Sequence, residues 1–347
     1  MRTAKRSLIH VWASAFVYLL FASCSGNGAT GNKTASTDTL NKPRWVDPRK
    51  GKIWGKVNIV QIPLTATENH IFGPLKSVTY KDYKISDGDS TKILEDSGFN
   101  AYDKFGHLVD QNAFKADGTA KWNCVYKYDN NNKAAEWNFK FENAKQDSKT
   151  TFKYDAIGNE IESSTYGPDG KLTEKGTKKY DARGNETDVT IYDADGKIKR
   201  METYKYDSRD FQIEWKESDA NGKLKWKLTQ DYDSFGNKIS GASTHSDSTI
   251  DGKWTNTNDR KGRTIGSISY DKNGKIHSTS KRKYDDFDNI TEYIAYKPDG
   301  SVDTAGWNAY TVFEYDTRGN AIKETWYKLK SGKKVKTDVA ERKFEYY

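Results

Sequence analysis

Residues 100–347 alternate between two kinds of short segment. Runs of about eight to ten residues are rich in Thr, Tyr, Trp, Ile and Val, which favour β-strands, and clusters of Asp, Asn and Gly, which favour turns, separate the runs. Within the runs, aromatic and charged residues alternate, as in Tyr126-Lys127-Tyr128. Because successive side chains of a strand point to opposite faces, this alternation predicts strands with one aromatic face.

The turn clusters recur with a fixed period. Tyr-Asp pairs begin 26 residues apart as far as Tyr284, with Asn258 at one of the Tyr positions, and the step lengthens to 31 residues before Tyr315 and again before Tyr346. A period of this length is typical of repeat proteins, in which one supersecondary unit stacks on copies of itself. Each copy contains two turn signals and two runs, so about nine copies predict roughly 18 strands.

The fourth position after each of these Tyr residues tests the turn assignment. It holds Asn132, Asp210 and Asp288 in some copies and Gly in the others, and these are the residue types that best tolerate positive φ. A type I turn followed by one residue in the left-handed region is a common hairpin connection. The glycines that this pattern predicts to be structural turn residues are Gly106, Gly158, Gly184, Gly236, Gly262 and Gly319.

Strand, turn, strand, turn describes an antiparallel meander over residues 101–347. We therefore predict an all-β fold, an elongated antiparallel β-meander of about nine hairpin repeats that forms a twisted or curled open sheet. At about 4.8 Å per strand, such a sheet would extend over roughly 85 Å. Hydrophobic residues make up 34% of the chain and charged residues 31%, so we expect cross-strand side-chain pairs rather than a thick core to hold the sheet together.

The N-terminus predicts export and lipid attachment. A basic segment at 2–6 precedes an apolar stretch at 8–21 that is too short for a comfortable membrane span. The sequence that ends at Cys24, Leu20-Phe21-Ala22-Ser23-Cys24, resembles the lipobox of bacterial lipoproteins, in which the Cys is lipidated. The resemblance implies a signal peptide at 1–23 and an outer-membrane lipid anchor on Cys24. An ordinary secretory signal and a free Cys are the alternatives.

Two segments separate the signal from the repeats. Residues 24–44 are rich in Ser, Thr, Asn and Gly, which predicts a flexible tether. Residues 45–100 contain strand-like runs at 57–60 and 73–78, which we expect to cap the N-terminal edge of the repeats. If Cys24 carries lipid, Cys124 is unpaired, and its strand-like surroundings favour a small buried hydrophobic residue over a nucleophile.

The sequence carries no recognisable catalytic or cofactor motif. Its histidines are scattered without metal-ligand spacing, and no phosphate-binding loop or nucleophile elbow occurs. Turns such as 193–196 superficially resemble calcium loops, but turn chemistry explains their Asp residues and the downstream Glu is missing. We therefore expect no catalytic residues, no metal and no cofactor, in a non-enzymatic protein. The net charge is +8, but Lys interleaves with Glu and Asp, so we expect no nucleic-acid partner.

The aromatic face has two interpretations. Aromatic side chains are costly to leave bare, so the face can be the core of the fold. Alternatively, part of it is an open platform for a ligand, because aromatic rings suit sugar faces and protein-interface hot spots. The candidate ligand-surface residues are Tyr126, Tyr128, Tyr154, Tyr180, Tyr204, Tyr206, Tyr232, Tyr284 and Tyr315.

The repeat also resembles a known family. The pattern Tyr-x-Tyr-Asp-x-x-Gly-Asn followed by Tyr-x-x-Asp-Gly-Lys is similar to the YD repeat of RHS-type proteins, over roughly residues 100–347. The chain is most similar to short YD-repeat lipoproteins of Bacteroidota-type bacteria. In large RHS proteins such repeats form a hollow β-shell around a toxin, and some YD arrays are associated with carbohydrate binding.

Together these observations predict a non-enzymatic, lipid-anchored protein of the bacterial outer membrane. Its sheet would present aromatic and charged rows to a glycan or an envelope protein, and its lipid would bind the membrane. The alternative that the resemblance implies is an RHS or polymorphic-toxin relative, a shell or immunity-type protein whose sheet curls around a closed cavity.

Overall fold

The computed structural model describes residues 73–86, 91–246, 250–304, 308–330 and 332–347. These residues form a single 20-stranded sheet and one short 3-10 helix, Ala144–Gln146. The predicted signal peptide, the tether, Cys24 and the run at 57–60 lie outside the described residues.

The strands follow one another along the chain with short turns between most of them. The first ten are β1 (Leu75–Ile85), β2 (Lys92–Tyr102), β3 (Leu108–Lys115), β4 (Ala120–Tyr128), β5 (Ala134–Phe141), β6 (Ser148–Tyr154), β7 (Glu160–Tyr166), β8 (Leu172–Tyr180), β9 (Glu186–Asp193) and β10 (Ile198–Tyr206). The second ten are β11 (Gln212–Asp219), β12 (Leu224–Tyr232), β13 (Lys238–His245), β14 (Ile250–Asn258), β15 (Thr264–Tyr270), β16 (Ile276–Tyr284), β17 (Ile290–Tyr296), β18 (Ala309–Tyr315), β19 (Ala321–Lys330) and β20 (Lys333–Tyr346).

The sheet is closed, so the prediction of an elongated open sheet is wrong. Each strand pairs antiparallel with its neighbours in sequence, and β1 also pairs antiparallel with β20. This last pairing runs from Leu75, opposite Tyr346, to Lys84, opposite Asp338. The chain therefore forms a 20-stranded antiparallel β-barrel. β1, which closes the ring by pairing with β20, precedes the first Tyr-Asp pair. The repeat pattern therefore carries no sign of closure.

The Tyr-Asp turns show why these residues form hairpins. In one copy, the Asp155 carboxylate accepts hydrogen bonds from the backbone N–H groups of Ile157, at 3.0 Å, and Asn159, at 2.8 Å. The Gly158 N–H donates to the Asp155 carbonyl at 3.1 Å, and Gly158 takes a φ of 92°. Such a turn ends in a left-handed residue, which is followed by a β-bulge in the strand pairing. The same position has positive φ at the other predicted turn glycines and at Asn132, Asp210 and Asp288.

The two faces of the barrel wall differ in exposure. We call the face that carries the Tyr of each Tyr-Asp pair the tyrosine face, and the face that carries the preceding Lys, such as Lys127 or Lys153, the lysine face. Val189, on the tyrosine face, is 1% exposed, whereas Val125, on the lysine face, is 38% exposed. No second layer covers either face within the described residues. Side chains crowd together only on the concave side of such a single layer, so the tyrosine face lines the inside of the barrel.

A continuous core occupies only one side of the barrel. Its buried members lie on β1 to β4, and Phe344 and Tyr346 of β20 pack against them. Cys124 is among them, and burial raises the pKa of its thiol to about 12. Further round the ring most inward side chains are only half-buried. Barrels of 16 or more strands are too wide for side chains to fill, which accounts for the thin core. The buried members are Leu75, Val78, Tyr102, Leu108, Cys124 and Tyr126.

Candidate functional site

The predicted ligand-surface tyrosines all lie on the tyrosine face. In six of them the hydroxyl donates a hydrogen bond to the backbone carbonyl of the residue 20 positions earlier, at 2.6 to 2.9 Å. This bond joins the two strands of a hairpin at its open end. The pairs are Tyr128 with Leu108, Tyr154 with Ala134, Tyr180 with Glu160, Tyr206 with Glu186, Tyr232 with Gln212 and Tyr284 with Thr264.

The remaining three tyrosines bond side chains. Tyr126 donates to Gln111 at 2.9 Å, and Tyr204 donates to the Glu202 carboxylate at 2.6 Å. Tyr315 donates to the Asp285 carboxylate. All nine hydroxyl groups are thus engaged within the barrel. Their role as a ligand surface stays a prediction, while their contacts give them a structural role.

A recess in the barrel wall lies between β17 and β18, and sequence reasoning missed it. These strands are paired only at Glu292 with Tyr310 and Tyr293 with Ala309, near one end. Beyond these pairs the strands separate, and a cavity of about 590 Å³ opens between them. We call this cavity the wall recess; it is lined by residues of both faces, including Thr291, Glu292, Tyr310, Val312 and Phe313.

A long connection joins β17 and β18 at the end where the two strands are paired. It contains a complete turn at 297–301 and then folds back, so that Val302 bridges to Tyr296. The side chain of Asn308 accepts a hydrogen bond from the Ala295 N–H at 2.7 Å, which holds the start of β18 against the end of β17. The extra residues are those that lengthen the step before Tyr315 to 31. The step before Tyr346 is equally long although β19 and β20 pair along their length, so the longer step signals added residues without locating the recess.

Aromatic contacts close the recess at the Tyr-Asp end. The Phe287 ring stacks on the Tyr315 ring with centroids 4.1 Å apart and an interplanar angle of 27°. The Asn289 amide also donates to the Tyr315 hydroxyl at 2.5 Å. Burial, with the Asp285 carboxylate second, raises the pKa of Tyr315 well above its ordinary value. Side-chain contacts thus join β18 to the preceding turn where the backbone pairing is missing.

On the lysine face the recess is bordered by a mixed aromatic and charged row. Successive cross-strand partners are Lys283, Glu292, Tyr310 and Tyr327, on β16 to β19. Lys283 forms an ion pair with Glu292 at 3.0 Å, and this contact raises the pKa of Lys283. The Lys334 ammonium lies 3.9 Å from the centroid of the Tyr310 ring. Val312, 54% exposed, adds an open apolar surface two residues along β18 from Tyr310.

The tyrosine face also carries buried ionic groups, far from the wall recess along the ring. Lys178, whose side chain is 5% exposed, lies 3.5 Å from Glu160 and 3.2 Å from Glu186. Burial raises the pKa of both Glu160 and Glu186, although Lys178 acts to lower it. A network that satisfies its own charges in this way serves to hold strands together.

The closing pair of strands brings together a second ionic cluster. Asp82 lies directly opposite Asp96 on β2, and Arg342 forms an ion pair with Glu324 beside them. Burial raises the pKa of Asp82 to about 6, and Arg342 opposes this shift. Within the described residues, no group of His, Cys, Asp and Glu side chains is arranged to hold a metal ion.

No protein-family model matches the chain, and no curated protein matches it. Solved structures to which the chain shows a weak similarity include a porin-like protein from Bacteroides uniformis, at 15% identity and a TM-score of 0.36, over 78% of this chain and 98% of that chain. They also include TcdB2-TccC3 without its hypervariable C-terminal region, at 12% identity and a TM-score of 0.31, over 74% of this chain and 18% of that chain. A third is the exotype rhamnogalacturonan lyase YesX, at 12% identity and a TM-score of 0.24, over 75% of this chain and 65% of that chain.

Identities and TM-scores this low support no inference about activity, ligand or location. A closed all-β barrel is nevertheless compatible with the outer-membrane location that the N-terminal sequence predicts. None of the described residues belongs to a helix that could cross a membrane.

Proposed function

We propose that the protein is a non-enzymatic, lipid-anchored binding protein of the cell envelope, whose ligand is a glycan or an envelope protein. The observation that carries this proposal is the wall recess, a cavity of about 590 Å³ bordered by aromatic and charged side chains. Binding sites for small ligands are typically cavities of about 300–1,000 Å³ with mainly apolar walls and a few placed polar groups. The tyrosine face offers a ligand fewer free hydrogen-bonding groups, because its tyrosine hydroxyl groups already bond within the barrel.

The charge distribution supports a barrel that stands in water beside the membrane and is held there by its lipid. The lysine face carries ion pairs such as Glu162 with Lys153 and Lys175, each at 2.7 Å. The tyrosine face carries Lys178 and Glu186. A charged side chain facing lipid at the bilayer centre costs about 2–4 kcal/mol, so neither face suits contact with acyl chains. In this proposal the predicted lipid on Cys24 attaches the protein to the membrane.

Affinity capture from the native envelope tests the binding proposal. The mature protein and a Val312→Arg variant serve as paired baits, because Val312 is 54% exposed and an Arg side chain there can extend into solvent. We expect the wild type to retain a glycan or protein that the variant loses. Equal capture by both baits would contradict binding at the recess, and no specific capture by either would contradict the proposed function.

The anchor is tested separately by a Cys24→Ser variant. Lipidation adds about 0.8 kcal/mol per buried CH₂ group, so its loss is expected to move the protein into the soluble fraction. An unchanged membrane fraction would contradict the anchor and would leave the binding proposal standing.

Ring closure favours a second candidate, a relative of RHS or polymorphic-toxin proteins that encloses or neutralises a toxic domain. The pairing of β1 with β20 gives the enclosed interior that this candidate requires. It predicts a toxin gene beside the gene of this protein. Co-expression with the product of that gene should yield a stable complex in which the toxin resists protease. If the toxin is digested as fast in the presence of this protein as alone, the candidate is contradicted.

A further inference from the structure

We propose that the wall recess binds a neutral oligosaccharide, an inference that rests on the proposed function and specifies its ligand. The recess presents Tyr327 and Val312 beside one another on the lysine face, on neighbouring strands. Tyr327 is the cross-strand partner of Tyr310, and directly paired side chains lie about 4.5–5.5 Å apart at their Cβ atoms. Val312 lies opposite Thr325, which makes Tyr327 its diagonal neighbour, and such neighbours lie about 7–8 Å apart, within reach of an aromatic side chain. Tyr327 and Val312 thus border one apolar strip across β18 and β19, which suits the flat C–H face of a pyranose ring.

The polar groups at the rim match the hydroxyl groups of a sugar. Asp286 supplies carboxylate oxygens, which only accept hydrogen bonds, and Lys334 supplies an ammonium group, which only donates them. Sugar hydroxyl groups do both, so one residue of an oligosaccharide can satisfy donors and acceptors at once. Asp286 is exposed at the rim, in the turn that precedes β17.

The charge balance argues against an acidic ligand. Two lysines, Lys283 and Lys334, line the recess together with three carboxylates, Asp285, Asp286 and Glu292. Lys283 is already paired with Glu292, and Lys334 lies over the Tyr310 ring. A phosphate or an acidic sugar would therefore meet three carboxylates against two ammonium groups, one of which is already paired with Glu292.

Isothermal titration of the mature protein in detergent, with neutral trisaccharides of glucose, galactose, mannose and N-acetylglucosamine and with one uronic-acid trisaccharide, tests the inference. At least one neutral probe is expected to bind, and Tyr327→Ala is expected to weaken it roughly tenfold, the size of effect that one aromatic contact gives. Tyr192→Ala is the matched control, because Tyr192 also lies on the lysine face, on β9. Val312→Arg, at an exposed position, should abolish binding without unfolding the barrel.

Each other outcome overturns the inference. Preference for the acidic probe would show that the charge argument is wrong, and equal losses in Tyr327→Ala and Tyr192→Ala would place the sugar elsewhere. If no sugar binds but Val312→Arg abolishes capture of an envelope protein, the ligand class is wrong and the proposed function stands. If no sugar binds and no envelope component is captured, both fail.

Discussion

At the residue scale, the Tyr of each Tyr-Asp pair stabilises the barrel through its hydroxyl group as well as through its ring. The hydroxyl reaches the first carbonyl of the preceding strand, and at position 258 an Asn amide makes the equivalent bond, from Asn258 to the Lys238 carbonyl at 3.1 Å. A donor of suitable length is therefore what this position requires. The Tyr ring adds buried apolar area that Asn lacks.

Removing one such hydroxyl tests its contribution to stability. Tyr180→Phe keeps the ring but leaves the Glu160 carbonyl without the hydrogen bond that measures 2.6 Å. We expect the free energy of unfolding to fall by about 1 kcal/mol. The control is Tyr192→Phe, since the Tyr192 hydroxyl makes no hydrogen bond among the described residues. Urea unfolding measures both, and equal effects would contradict the prediction.

The left-handed turn position is tested at Gly184. Its φ is 85°, and a Cβ atom placed there would meet nothing within 4 Å, so substitution reports backbone conformation alone. Gly184→Ala should lower the free energy of unfolding by about 1 kcal/mol, because a left-handed L-residue costs roughly 1–2 kcal/mol. Gly184→Asn should cost less, since Asn132 occupies the equivalent position at a φ of 61°. The reverse order in thermal or urea unfolding would refute this explanation.

At the element scale, the pairing of β1 with its two neighbours concentrates like charges. Asp82 and Asp96 face each other across β1 and β2, while Glu324 and Arg342 on β19 and β20 complete the cluster. Burial outweighs the attraction of Arg342, so the pKa of Asp82 rises from 3.8 to about 6. The strands that close the ring are thus less stable when this carboxyl is ionised.

This cluster predicts a pH dependence with a definite sign. The folded protein retains the Asp82 proton between about pH 4 and pH 6, where the unfolded chain has lost it, so this group's contribution to stability falls as pH rises through that window. The loss should be roughly 1–3 kcal/mol. Asp82→Asn should remove it, so the variant should gain stability relative to wild type between pH 4 and pH 7. Parallel urea-unfolding profiles for the two proteins would contradict the assignment.

At the scale of the whole molecule, closure is the property that distinguishes this chain from a simple meander. It depends on contacts between residues more than 250 positions apart, such as Val78 opposite Phe344 and Tyr80 opposite Arg342. Within the described sheet, closure leaves neither β1 nor β20 as a free edge, and the facing edges of β17 and β18 are unpaired only at the wall recess. Exposed edges are templates for aggregation, so closure also protects a long antiparallel sheet.

A designed disulfide tests closure directly. Thr79 and Lys343 are cross-strand partners on β1 and β20, so Thr79→Cys with Lys343→Cys should form an intramolecular bond under mild oxidation. Because the bond closes a very long loop, we expect stabilisation of roughly 4 kcal/mol. The pair Thr79→Cys with Lys153→Cys is the control, since Lys153 lies on β6. Mobility on non-reducing gels shows whether each double variant has formed its disulfide. If the sheet were open, the cysteines at positions 79 and 343 would remain free thiols.

The sequence predicted the local structure well because local structure depends on neighbouring residues. Alternation in runs such as 126–128 assigns strands and faces, and the Asp and Gly of each turn fix the hairpins. Closure could not be read in this way, because Val78 and Phe344 carry no mark of their pairing. The wall recess was missed for a related reason: the longer step shows that residues were added before Tyr315, but only the fold shows that β17 and β18 separate there.

The antiparallel ring restricts how the barrel could change in size. Each 26-residue copy supplies two strands, and a ring in which every neighbour runs in the opposite direction closes only with an even number. Deleting or duplicating one whole copy preserves this parity and alters the circumference by about 10 Å. Loss of a single strand would leave two neighbours running in the same direction at the point of closure. The pair of strands is therefore the smallest unit that can be gained or lost, and the diameter of the barrel can change only by whole pairs.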